Sequence, residues 1–340
     1  MGVRVALDAM GGDRAPTEPV AGAVLAAREL GISVTLVGPH DIVAAELARQ
    51  HPGSLPLAIV DAPEVVGMDE HPVQAIRRRP GASMNVAMRL VKEGTADAFV
   101  SAGNTGAAVA AGLFCLGRVA GIDRPALATV FPTAKGCCLV LDVGANADCR
   151  PVHLCQFAVM GERYSRLVLG VAVPRVGLLS NGEEETKGNA LVQESHRLLK
   201  ATDLNFIGNV EGKDLPRGTA DVVVCDGFLG NVVIKLAEGI GELTFTLLRE
   251  ELTANTISKL GAVLLRPGLR RIKHRADYQE YGGAPLLGVN GVVIVAHGRS
   301  DARAIRNAIR VAGQAVTARL HQSLAASVPA SEDGPVRLSP

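Results

Sequence analysis

Tryptophan is absent from this chain of 340 residues, and aromatic side chains make up only 3% of it. Proteins that grip single-stranded nucleic acid stack bases on such side chains, so that class is disfavoured. The formal net charge of +1 gives no broad basic surface, and nucleic acid is not an expected partner. No apolar run reaches the roughly 20 residues of a membrane span. The six cysteines (Cys115, Cys137, Cys138, Cys149, Cys155 and Cys225) form no CxxC pair. Most lie in apolar runs, which reads as buried free thiols rather than a disulfide framework or zinc site. The N-terminus reads as a strand with no basic-then-apolar signal region, so a cytoplasmic location is expected.

Several catalytic signatures are also missing. There is no GxGxxG after a strand, which disfavours a dinucleotide enzyme, and no GxSxG elbow or HExxH. Gly212-Lys213 is followed by Asp214 and lacks the upstream glycine of a P-loop.

What remains is 48% apolar and patterned as an α/β protein. Short β-branched runs (Val3–Leu7, Val34–Val37, Leu57–Val60, Ala98–Ser101, Ala126–Val130, Leu139–Val143, Val176–Leu179, Asn205–Ile207, Val222–Cys225, Val292–Val295) alternate with Ala/Leu-rich helical stretches. This predicts a doubly wound, mostly parallel sheet with helices on both faces. A single catalytic domain is expected over 1–327, with a long final helix from Asp301 to Leu320. A Ser/Pro-rich tail, 328–340, is expected to be disordered. From Leu229 to about Lys273 the pattern is helical, interrupted by Pro267-Gly268, so 235–280 is expected to project from the sheet. Ile257, Leu260 and Leu264 fall on one helix face there. Arg266, Arg270, Arg271, Lys273, His274 and Arg275 make a basic cluster beside it.

In open α/β sheets, ligands bind beyond the carboxyl ends of strands. Here those ends are rich in glycine and amides: Asp8–Asp13 with Gly11 and Gly12, Ser101–Ala107 with Gly103, Asn104, Thr105 and Gly106, Asp142–Asn146, Asn181–Gly188, Asp226–Asn231 with Gly227, and Ala296–Ser300. Glycines let backbone N–H groups approach an anion, and a helix start adds unpaired donors. The loop Ser101–Gly106 is the best phosphate cradle by this reasoning. For any one loop, a tight βα turn is the better explanation of the glycines. Six loops meeting at one edge favour a site. Asp8, Asp13, Asp142 and Asp226 could ligate a divalent metal, although helix capping explains such carboxylates more simply, and no metal is expected. Lys187, beside Glu183 and Glu184, is either a phosphate-neutralising cation or part of a solvated charge cluster. His297 is either a proton donor or a structural histidine near a helix start.

Together these motifs resemble the bacterial phosphate acyltransferase family of phospholipid synthesis. The resemblance rests on Asp8–Asp13, Ser101–Ala107, Leu141–Asn146, Gly182–Gly188, Phe206–Asp214, Asp221–Lys235 and Tyr278–Ser300, in order along nearly the whole chain. Two positions depart from the family pattern: Ser180-Asn181-Gly182 replaces Asn-Ile-Gly, and Arg299 stands where a small residue is common. The resemblance implies transfer of a long fatty acyl group from acyl carrier protein to inorganic phosphate, a homodimer, no cofactor, and a fold related to isocitrate dehydrogenase and phosphotransacetylase. It implies a product consumed by a membrane glycerol-3-phosphate acyltransferase. On this reading Lys187, Asn231 and His297 are the catalytic candidates. Asp8, Gly11, Gly12, Ser101, Gly103, Asn104, Thr105, Gly106, Asn146, Asp226 and Gly227 bind phosphate or substrate. The basic cluster docks acidic acyl carrier protein, and the Ile257/Leu260/Leu264 face meets a membrane or the acyl chain. A dimer interface is the competing use of that face. The alternatives are a phosphotransacetylase using short acyl-CoA and a non-catalytic regulator that binds acyl carrier protein or lipid.

Overall fold

The computed structural model describes residues 2–276 and 278–327, without the side chains of Arg270 and of 273–276, 278 and 279. The expected tail, 328–340, lies outside the described residues. Strand β1 (Arg4–Asp8) is followed by α1 (Thr17–Leu30), β2 (Ser33–Gly38), α2 (His40–Arg49) and β3 (Leu57–Asp61). Helices α3 (Pro72–Arg78) and α4 (Ser83–Lys92) precede β4 (Ala98–Ser101), and α5 (Thr105–Ala111) runs on into a π-helical turn, Gly112–Leu116. Next come β5 (Ala126–Thr133), β6 (Gly136–Leu141), α6 (Pro151–Leu167), β7 (Val176–Leu179), α7 (Ala190–Lys200), β8 (Phe206–Val210) and β9 (Val222–Val224). The long helices α8 (Gly227–Thr253) and α9 (Thr256–Ala276) lead to β10 (Ala284–Leu287), β11 (Val292–Val295), α10 (Ala302–Thr317) and α11 (Leu320–Ser327).

These strands form one sheet in the order β3-β2-β1-β4-β11-β10-β5-β6-β9-β7-β8. Seven neighbouring pairs are parallel. The antiparallel pairs are β11–β10, β10–β5 and β5–β6, all at the centre. The expected α/β class and mostly parallel sheet are therefore present. The central reversals have a consequence for the loops, however. Strands β1, β4 and β11 run in one sense, whereas β6, β9 and β7 run in the other, so their carboxyl ends do not share one edge. The loops form two groups, so they do not meet at the single edge expected.

Side-chain alternation along the strands assigns the two faces. Val5 and Leu7 of β1, Ile294 of β11, Leu139 and Leu141 of β6, and Val176 and Leu178 of β7 belong to one continuous apolar layer. It is covered by α1, α6, α7 and α10 through residues such as Val20, Phe157, Leu199 and Ile305. The opposite face is divided. Met84 and Met88 of α4 and Ala107 and Ala111 of α5 pack on Ala6, Phe99 and Val293. A separate cluster of Cys138, Leu179, Val210 and Val223 lies beneath Leu229 and Val233 of α8. The gap between these two clusters is where the cleft opens.

The projecting element is a helix pair, but its break lies at Ala254-Asn255, where the Asn255 side chain accepts from Ser258 N. Pro267 sits inside α9, so it does not mark the interruption expected at Pro267-Gly268. Of the 20 exposed large apolar residues among those described, 14 lie on α8 and α9. Ile257, Leu260 and Leu264 are 85%, 65% and 75% exposed. The final helix is two: α10 and α11 are separated at Arg319, whose φ is 51°.

Candidate active site

A cavity of about 370 Å³ occupies the gap between the two smaller clusters. Its floor is the reversed centre of the sheet, with Leu127 and Thr129 of β5, Ala284 of β10 and Val295 of β11. Thr105 and Gly106 come from the loop group of β1, β4 and β11, together with His297 and Ser300. Val143 and Gly144 come from the loop after β6. Helix α8 closes one side with Asn231, Ile234, Lys235 and Glu238. Residues 231, 235 and 238 are spaced i, i+4 and i+7, so one helix face presents all three polar groups.

Two buried carboxylates hold the walls. Asp8 Oδ1 accepts from Ser83 Oγ at 2.7 Å and its Oδ2 accepts from Ser101 Oγ at 2.7 Å, tying β1 to α4 and β4. Burial raises its pKa despite these donors. Gly11 lies against this knot, where a β-carbon would fall 2.7 Å from Asp8 Oδ2 and from Gly103 N. Asp142 plays the same part in the other half. Its Oδ1 accepts from Leu127 N, Gly144 N and Ala145 N, and its Oδ2 from Asn146 N and Asn146 Nδ2. Its pKa too is raised by burial. Both carboxylates are filled by donors within the chain, and neither lines the cavity.

Of the residues singled out in the sequence, Thr105, Gly106, Asn231 and His297 meet at the cavity. The others serve its frame. Asn104 caps α5, accepting from Ala107 N, while its amide donates to the Met68 and Glu70 carbonyls. Ser101 donates to Asp8 and accepts from Gly103 N. Asn146 donates to Pro125 O and Asp142, and Asp226 caps α8 by accepting from Leu229 N. Gly11, Gly12, Gly103 and Gly227 sit in these loops without lining the cavity. Lys187 is exposed on the loop after β7 and does not line it either. Arg266 and Arg271 are exposed on α9, whereas the side chains of Arg270, Lys273 and Arg275 lie outside those described.

Lys235 and Glu238 were not picked out in the sequence. The signal was available: the helical period continued from Asn231 reaches both. They are the only lysine or arginine and the only carboxylate among the described lining residues, and they pair at 2.7 Å. His297 is half-buried. Its Nδ1 accepts from Arg299 N at 3.2 Å, which leaves the ring proton on Nε2. Burial first, then the nearby Lys235 charge, lowers its pKa below the ordinary imidazole value. The ring is thus a neutral Nε2–H donor near neutral pH.

The cysteines supply no nucleophile here. Cys138, Cys155 and Cys225 are buried and all six are free. Burial pushes Cys149 up to about 11 and Cys155 up to about 12, and raises the other four. Thiolate is therefore scarce at neutral pH. Away from the cavity, Glu183, Glu211 and Asp214 lie close together. Lys213 pairs with Glu211 and lies 3.7 Å from Glu183, meeting their charge. Among the described residues no helix is long and apolar enough to cross a membrane.

Comparison with known proteins places this frame. The phosphotransacetylase EutD of Staphylococcus aureus superposes with a TM-score of 0.60 over 93% of this chain and 94% of its own, at 16% identity. A phosphotransacetylase of Streptococcus pyogenes gives 0.60 at 17% identity, with the same coverage. At such identities the likeness shows a shared fold. Sequence relatives are much closer. A protein of Pelotomaculum thermopropionicum named phosphate acyltransferase is 52% identical over 97% of this chain and 96% of its own. One of Geobacter sulfurreducens with the same name is 53% identical over 95% and 93%. Residues 3–323 match the family described as fatty acid synthesis protein, and the chain belongs to that family.

Proposed function

We propose that this enzyme, a phosphate acyltransferase, moves a long fatty acyl group from acyl carrier protein to inorganic phosphate, forming acyl phosphate for phospholipid synthesis. The observation that carries this reading is a cavity with an apolar floor, one lysine and a neutral imidazole, in a chain whose thiols are held protonated. Phosphate attacks the thioester carbonyl carbon through one of its own oxygens, and a tetrahedral oxyanion forms. The C–S bond then breaks, and thiolate leaves on the carrier. No enzyme nucleophile enters the sequence. The protein supplies position and donors for the oxyanion, and His297 Nε2–H, the Asn231 amide and the Thr105 hydroxyl stand at the cavity for that work. Lys187, outside the cavity on an exposed loop, meets the acyl donor rather than the phosphate.

The projecting helices fit the donor and the product. Arg266 and Arg271, with Arg270, Lys273 and Arg275 on the same segment, form the docking patch for an acidic carrier. The apolar surface of α8 and α9 suits a homodimer, and the Ile257/Leu260/Leu264 face suits membrane contact from the cytoplasm, where a glycerol-3-phosphate acyltransferase takes up the product.

The test is to supply phosphate with long-chain acyl-acyl carrier protein, and separately with acetyl-CoA, and to assay acyl phosphate. Product from the carrier-bound donor is expected. Product from acetyl-CoA alone would support the short-chain alternative, and product from neither would support the regulator.

A further inference from the structure

The glycine loops offer backbone donors for a phosphate, but the charge in the cavity comes from α8. Lys235 and Glu238 are the only oppositely charged side chains on its described lining, and they point into it together. Their order is not the one that best supports a helix, since glutamate N-terminal to lysine is the favourable arrangement. Their ion pair is 55% and 24% exposed, so it is readily exchanged for a stronger partner. An ammonium carries three donors, and Glu238 takes one of them. Thr105, Asn231, His297 and Ser300 add donors around the same space. The wall is thus rich in donors and contains one carboxylate.

That combination fits an anion that is itself a donor. Near neutral pH, inorganic phosphate keeps at least one O–H, whereas sulfate has none. A carboxylate facing the anion accepts the phosphate O–H and repels an anion that offers only lone pairs. We propose that Lys235 is the residue that binds the attacking phosphate, and that Glu238 selects it by accepting its O–H, excluding sulfate and other fully ionised oxyanions. This rests on the reading of phosphate as the nucleophile at this cavity. The two residues hold the phosphate so that an ionised oxygen, not the protonated one, faces the thioester.

The experiment measures phosphate and sulfate affinity of the full chain by calorimetry, without an acyl donor. The wild type is expected to prefer phosphate, and Glu238→Gln to shrink that preference by about tenfold or more, mainly by gaining sulfate affinity, as expected for loss of a charge-assisted hydrogen bond. Lys235→Met is expected to weaken both anions together. Equal affinity of the wild type for the two anions, an unchanged ratio in Glu238→Gln, or wild-type binding by Lys235→Met would each overturn the proposal. If the ratios move as expected but no thioester donor yields acyl phosphate, the anion site stands and the reaction assigned above fails.

Discussion

Gly230 presses so closely on the backbone carbonyl of Asp142 that a β-carbon there would overlap the oxygen. This contact fixes the first turn of α8 against the loop after β6, and the next residue along the helix is Asn231. Replacing Gly230 with alanine should therefore shift α8 away and carry Asn231, Lys235 and Glu238 out of line. The expected cost is about 1–3 kcal/mol, as for other overpacked sites, read as a lower denaturant midpoint. Turnover should fall with it. Gly239→Ala on the same helix, with nothing within 4 Å of a β-carbon, should be neutral or slightly stabilising.

His297 should keep its neutral donor into mild acid while making the fold less stable there. Because its folded pKa is depressed, the unfolded chain takes up this proton first, so the stability it contributes is full above the ordinary imidazole value of about 6.5 and is lost as pH falls below it. The Nε2–H donor persists over the same range. The kcat/KM profile should show no imidazole inflection at or above that value. His297→Ala should lower kcat by about 10²-fold or more, in line with loss of an oxyanion donor, and an inflection at the ordinary value would remove the role.

Lys187 and the cavity lysine should separate kinetically. Lys187→Ala should impair use of the acyl donor while leaving phosphate affinity within about twofold, as expected for a group that does not face the anion. Loss of phosphate binding in that variant would bring the β7 loop into the phosphate site.

Reversing the charge of Arg266 and Arg271 should raise KM for acyl carrier protein, with the difference shrinking at high salt because long-range steering is screened. Stopped-flow association rates measure this directly. An unchanged KM at low salt would remove the docking patch.

The sheet was legible where strands were continuous apolar runs between helices: Ala98–Ser101 and Val176–Leu179 begin and end where expected. Strand β10 was not, because Pro285 and the preceding glycines suppress the strand signal that its pairing with β11 and β5 overrides. The loop motifs mark the neighbourhood of the cavity, and of the residues singled out there Thr105, Gly106, Asn231 and His297 line it. Asn104, Asn146 and Asp226 spend their polar groups on capping and loop bracing, which local sequence does not distinguish from ligand binding. Lys235 and Glu238 follow Asn231 at helical spacing, but the spacing alone does not say which face of α8 borders the cleft.

The order of strands also bears on how the molecule is assembled at the ribosome. The sheet is two blocks, β3-β2-β1-β4 and β5-β6-β9-β7-β8, bridged by β11 and β10, which come near the end of the chain. A nascent polypeptide can form either block early, yet each carries an open edge until the last two strands slide between them. Such edges invite pairing with other chains, and long-range strand insertion is slow. Truncation before Ala284 should therefore yield aggregation-prone halves rather than a weakened enzyme, because the cavity floor and the seam of the sheet are completed by the same late strands.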